Sequence, residues 1–222
     1  MARPDASLAA PPSPSQADVV LRGYSGYTTE WALQIAPSVL PPLGTPGAPP
    51  PPAAVVIAFG ANDAALPDRG SARQHVPVKR YASNVRALVA AARAAGARTV
   101  VVVSPPPVDD AARVLNAEVK YGAPADRPPD RTLEASGRYA AAAVAAATAE
   151  GATPLNAWRL FQDARPDWAP ALLSDGLHLT PAGNEALAGA VAGALAEADP
   201  SLDPGALPWD FPAHDAYAEC PR

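Results

Sequence analysis

Residues 53–63 read Ala-Ala-Val-Val-Ile-Ala-Phe-Gly-Ala-Asn-Asp. The first seven are a short apolar run with β-branched residues at its centre, closed by Gly60. That continuous rather than alternating character marks a strand buried on both faces. Three further runs resemble it: Ala-Asp-Val-Val-Leu at 17–21, Thr-Val-Val-Val-Val at 99–103, and a weaker one at 153–156. Helical spacing lies between them. A helix entered at Thr28 or Thr29 runs to about Val39, and another spans 78–95 with Tyr81, Val85, Leu88 and Val89 on one face, stopped by Gly96. A short helix is expected at 111–119, an alanine-rich one at 132–150, and a last one at 181–198. Residues 41–52, with seven prolines, form a surface loop partly in polyproline II. Strands alternating with helices predict a three-layer α/β/α fold on a parallel sheet, with chemistry gathered in the loops at the carboxyl ends of the strands.

Composition narrows the function. The chain has 222 residues, fitting one domain, and 54 of them are alanine, so larger apolar residues supply one core and little more. A net charge of −5 argues against binding a nucleic-acid backbone, which needs a basic face. No apolar run approaches the ~18 residues of a membrane span. A single cysteine, Cys220, allows no internal disulfide and no thiolate metal cluster. Residues 1–16 read as a disordered leader rich in Pro, Ala and Ser, residues 17–199 as the domain, and residues 200–222 as a tail. Without a signal-type apolar stretch, the expected location is the cytoplasm.

Three clusters carry chemistry, and all sit at strand ends or helix entrances. Gly23-Tyr24-Ser25-Gly26-Tyr27-Thr28-Thr29 leads into the first helix, Gly60-Ala61-Asn62-Asp63 leaves the strongest strand, and Ser174-Asp175-Gly176-Leu177-His178 precedes the last helix. Asp175 and His178 can share one tight turn, with the carboxylate orienting the ring and the free ring nitrogen acting as a general base. Gly26 can offer a bare backbone N–H and Asn62 a side-chain N–H to developing negative charge. A base, its orienter and two oxyanion donors make up most of an acyl-transfer site.

The clusters, together with the words ADVVLRGYSGYTT, FGANDA, QHVP, SPPPVD and LLSDGLHLTPAGN, resemble the SGNH (GDSL-type) hydrolases, specifically the isoamyl acetate-hydrolysing esterase branch with its plant and algal relatives. The resemblance spans roughly residues 17–199. It implies a flavodoxin-like α/β/α sandwich and hydrolysis of small ester substrates without metal or cofactor. It makes His178 the base, Asp175 the orienting acid, and Gly26 and Asn62 the oxyanion donors.

One block of the pattern is missing. The Gly-Asp-Ser that supplies the nucleophile belongs at the end of a first, central strand, and Asp5-Ala6-Ser7 has neither a strand before it nor a helix after it. Ser25 and Ser174 are expected to serve their turns, so no nucleophile is assigned. The sheet should then lack its central strand, and the chain should be an incomplete version of a longer protein. The reading is an esterase for short-chain esters, impaired for want of its serine; the alternative is a non-catalytic protein that keeps the pocket and binds an ester or acyl group. Asp63 is expected to tie down loop backbone, His75 to serve loop structure, and His214 to be solvated. At 133 the chain has leucine where close relatives tend to have asparagine.

Overall fold

A computed structural model describes residues 17–124 and 127–207, and three of the four apolar runs become parallel strands. These are β1 (Ala54–Ala58), β2 (Thr99–Val103) and β3 (Thr153–Leu155), in the order β1-β2-β3. The register sets Ala54 opposite Thr99 and Ala58 opposite Val103, then Val101 opposite Thr153 and Val103 opposite Leu155. Every residue of β2 is buried. Its side chains alternate between two cores, as strand geometry requires: Val100 and Val102 enter one, Val101 and Val103 the other.

Helices cover both faces. On the first lie α1 (Thr29–Val39), α2 (Val78–Ala94) and, after the outlying α3 (Asp110–Tyr121), α4 (Leu133–Ala149). Ala32 and Ala36 of α1, Val85, Leu88 and Val89 of α2, and Ala143, Ala146 and Ala147 of α4 build the larger core with Ile57. The alanines let these helices approach closely. The second face is covered by Ala157 of α5 (Ala157–Ala164) and, beyond α6 (Trp168–Leu172), by Leu187, Val191 and Leu195 of α7 (Pro181–Ala198). The three-layer architecture is the one expected. No helix is long and apolar enough to cross a membrane among the described residues.

The expected strand at 17–21 does not form. These residues carry no regular structure, and Val19, Val20 and Leu21 are 71%, 63% and 83% exposed. A strand needs a neighbour to satisfy its backbone, and among the described residues β1 has β2 on one side and no strand on the other. Val56 on β1 is accordingly 41% exposed despite its strand-core sequence. The loop at 104–130 holds a longer helix than expected, α3, and the two helices at 157–172 have no counterpart in the sequence reading. The latter are anchored by wholly buried Phe161 and by the Asn156 side chain, which accepts from Arg159 N. The leader at 1–16, together with His214 and Cys220, lies outside the described residues, as does most of the tail.

The loops that matter are pinned to the core by buried polar contacts. Asp63 has no exposed surface, and its Oδ1 accepts from Thr29 N at 3.0 Å and from the Thr29 hydroxyl, while Asn84 Nδ2 donates to that same hydroxyl at 3.0 Å. The start of α1 is thus tied to the exit of β1 and to α2. Asp63 Oδ2 has no partner. Burial pushes the Asp63 carboxyl above its usual range, against the hydrogen bonds from Thr29. Beside it, Gly60 has φ +124°, and a Cβ there would stand 2.7 Å from Tyr81 Oη and 2.9 Å from Pro105 Cδ.

Two outcomes are expected. Gly60→Ala should lose about 2–3 kcal/mol in urea unfolding, since it combines an unfavourable φ with overpacking; a loss under ~0.5 kcal/mol would contradict the packing described. A raised folded pKa means that the folded chain holds the Asp63 proton longer than the unfolded chain. The stability it contributes is complete below the ordinary carboxylate value near ~4 and is lost as pH rises through the folded value. Asp63→Asn should therefore flatten the decline of Tm with rising pH above ~4, and an unchanged slope would contradict this.

Candidate active site

Residues 172–180 form a tight loop whose ends are closed by a Leu173–Leu179 antiparallel bridge and by Ser174 N donating to His178 O at 2.8 Å. Thr180 then caps α7 by accepting from Gly183 N, with Pro181 as the first helical residue. Gly176, at φ +79°, allows the turn to touch α3: a Cβ there would lie 2.6 Å from Asp109 O and 2.9 Å from Arg113 N. Within the turn, Asp175 Oδ1 accepts from Leu177 N at 3.0 Å and His178 N at 2.8 Å, and Oδ2 lies 2.8 Å from His178 Nδ1. A carboxylate at Nδ1 fixes the proton there and leaves the Nε2 lone pair directed outward. The His178 side chain is 74% exposed, while Asp175 is 16% exposed. Burial alone would raise the Asp175 carboxyl; the hydrogen bonds from the backbone and ring of His178 together outweigh it and hold the group below the usual carboxylate range.

The second part of the site sits between the first two strand-exit clusters. Tyr27 N donates to Tyr24 O, closing a turn whose third residue, Gly26, takes the positive φ of +79° that such a turn favours. Asn62 Nδ2 donates to Tyr27 O at 2.9 Å. One of its two N–H groups is thereby used to aim the amide beside the Gly26 turn. Asp175 and His178 are thus in direct contact, and Asn62 reaches the Gly26 turn through Tyr27 O.

A hydrogen-bonded chain that sequence reasoning missed connects the two pairs. At its centre is Arg131, only 3% exposed. Its Nε donates to Ala61 O at 2.7 Å, Nη1 to Asp130 Oδ2 and Ser71 Oγ, and Nη2 to Asn62 Oδ1 at 3.2 Å and Gln74 Oε1 at 2.6 Å. Gln74 Nε2 in turn donates to Gly26 O at 2.9 Å. In the other direction, Asp130 Oδ1 accepts from Arg113 Nη2 at 3.3 Å, and Arg113 Nη1 donates to Asp175 Oδ2 at 3.2 Å. Burial would raise the Asp130 carboxyl, but the Ser71 hydroxyl and the two guanidinium groups hold it low. The only sequence signal was the adjacency of Asp130 and Arg131 in a stretch otherwise read as loop.

Several other side chains bond within the fold. His75 Nδ1 lies 2.6 Å from Ala65 O, Trp158 Nε1 donates to Leu133 O, and Leu133 N donates to the Asp110 side chain. The Ser174 hydroxyl donates to His178 O at 3.1 Å, away from the ring. Ser25 lines an open cleft of about 620 Å³ with Gly26, Tyr27, Trp31, Arg73 and Gln74. Among the described residues no serine hydroxyl is hydrogen-bonded to the His178 ring.

Comparison with known proteins gives the chain's family. A GDSL esterase/lipase of Arabidopsis thaliana is 44% identical over 200 residues, covering 90% of this chain and 80% of its own length. A human isoamyl acetate-hydrolyzing esterase 1 homolog is 35% identical over 177 residues, covering 77% of this chain and 65% of its own. Among solved structures, a lipase/acylhydrolase from Enterococcus faecalis superposes with a TM-score of 0.56 at 21% identity, covering 84% of this chain and 75% of its own. An acetylxylan esterase from Geobacillus stearothermophilus gives 0.54 at 18% identity, over 77% and 68% of the two chains. At those identities the structures speak for the SGNH fold alone. The model of the GDSL-like lipase/acylhydrolase family matches residues 3–186, and the chain belongs to that family of carboxylic ester hydrolases.

Proposed function

We propose that the site is built to hydrolyse short-chain carboxylic esters, acetate esters among them, by serine–histidine–aspartate acyl transfer. The observation that carries the reading is the single hydrogen-bonded chain joining Asp175–His178 to Gly26 and Asn62. A general base and two oxyanion donors gain from a fixed relation to one another, because the reacting carbonyl must meet all of them at once. The names of the similar esterases support the substrate class, and a cytoplasmic location is part of the same reading.

In the proposed reaction a serine hydroxyl attacks the ester carbonyl while His178 Nε2 takes its proton. The new C–O bond makes a tetrahedral intermediate whose oxyanion accepts from Gly26 N–H and Asn62 Nδ2–H. Asp175 holds the ring and offsets the imidazolium charge. Collapse breaks the bond to the alcohol, which leaves with the proton from Nε2, and water activated by the same nitrogen releases the acid. The sequence holds no Gly-Asp-Ser. On this reading turnover by these 222 residues is impaired for want of the attacking serine. Binding of an ester or acyl group without turnover is the second reading, favoured by the Ser174 hydroxyl being committed to backbone.

A p-nitrophenyl acetate assay tests this. The 222-residue chain should turn over little above buffer, and His178→Ala should change that rate by no more than about threefold. Placing a strand–Gly-Asp-Ser–helix segment ahead of residue 17 should create activity that falls by about 10³-fold or more on His178→Ala. Robust His178-dependent turnover by the chain alone would contradict the impairment. A folded, extended protein that binds but does not hydrolyse would favour the second reading.

A further inference from the structure

Asp175 has more partners than an orienting acid needs. Its two oxygens carry four acceptor positions, and four N–H groups fill them: Leu177 N and His178 N on Oδ1, His178 Nδ1 and Arg113 Nη1 on Oδ2. The fourth comes from a different element. Arg113 lies on the first turns of α3, whose start is fixed against the catalytic turn by Asp109 N donating to Gly176 O at 3.0 Å. Its guanidinium is largely buried, at 12% exposure, and its Nε and Nη2 edge is turned to Asp130. The oxygen that orients His178 therefore also faces a fixed positive charge.

We propose that Arg113 is a positioning residue that sets the orientation and basicity of His178 through the shared Asp175 Oδ2, and that Asp130 governs how strongly it does so. The proposal rests on the reading of His178 as the general base. A guanidinium on the shared oxygen competes with the ring for the carboxylate's charge and repels a positive ring directly, so Nε2 is a weaker base with Arg113 in place than without it. Asp130 draws Arg113 the other way and is itself held by Arg131 and the Ser71 hydroxyl. Among the described residues these are the charged groups bonded to the pair and to Asp130. The remaining acids at the start of α3 are engaged with backbone, Asp109 Oδ1 with Ala112 N and Asp110 Oδ1 with Leu133 N.

The test is an NMR titration of the His178 ring in the full 222-residue chain, which needs no turnover and so stands apart from the esterase assay. Arg113→Ala removes the competing charge, and the His178 midpoint should rise by about half a pH unit or more, with Arg113→Lys returning most of the way to the wild-type value. Asp130→Asn releases Arg113 toward Asp175 and removes a negative charge, so the midpoint should fall. If Arg113→Ala does not fold, the Asp130→Asn shift decides alone. Opposite shifts in the two variants support the proposal. Shifts of the same sign, or a midpoint unmoved in a folded variant, overturn it.

Discussion

A guanidinium removed from water must have its N–H groups satisfied, and the Arg131 side chain has five of them. In this chain it finds five acceptors, from Ala61, Asn62, Ser71, Gln74 and Asp130. Those acceptors come from the exit of β1, the loop before α2 and the segment before α4, which are far apart in sequence. Satisfying one buried cation thus fixes three loops relative to each other. Because Asn62 and Gln74 carry the restraint on to Tyr27 and Gly26, and Asp130 carries it through Arg113 to Asp175, the requirement of one side chain becomes the geometry of the whole site.

The sheet follows a comparable rule of satisfaction. β2 is paired on both sides and buried on both faces, and each of its valines has a defined core to enter. β1 is paired on one side only among the described residues, and Val56 is left half in solvent. Residues 17–21 have strand-type side chains and, among the described residues, no neighbouring strand, and they stay irregular. The side-chain pattern of a strand is necessary for it, but the neighbouring backbone decides whether it forms.

Much of this was legible in the sequence, for reasons that can be named. The β-branched runs at 53–59 and 99–103 stand where the strands stand, because a strand buried on both faces leaves an unbroken apolar signature. The pairing of Asp175 with His178 was legible because both lie in one turn of a few residues, and Thr28 marked the start of the first helix by short-range chemistry. Arg113, Gln74 and Arg131 were not legible. Apart from Asp130 beside Arg131, their partners are 17 to 70 residues away, and no periodicity or spacing records a contact made only when loops from different crossovers meet. The run at 17–21 misled for the complementary reason, since its local pattern was right and its long-range partner was lacking.

The most direct test of the account is equilibrium urea unfolding of Arg131→Lys. Lysine keeps the charge but replaces the planar five-donor fork with a single ammonium of three donors, so at least two acceptors must lose their partner in a buried setting. The account predicts a loss of about 3 kcal/mol or more, together with displaced side-chain amide signals of Asn62 and Gln74. A loss under about 1 kcal/mol with those signals unmoved would mean that Arg131 is not what holds the site together.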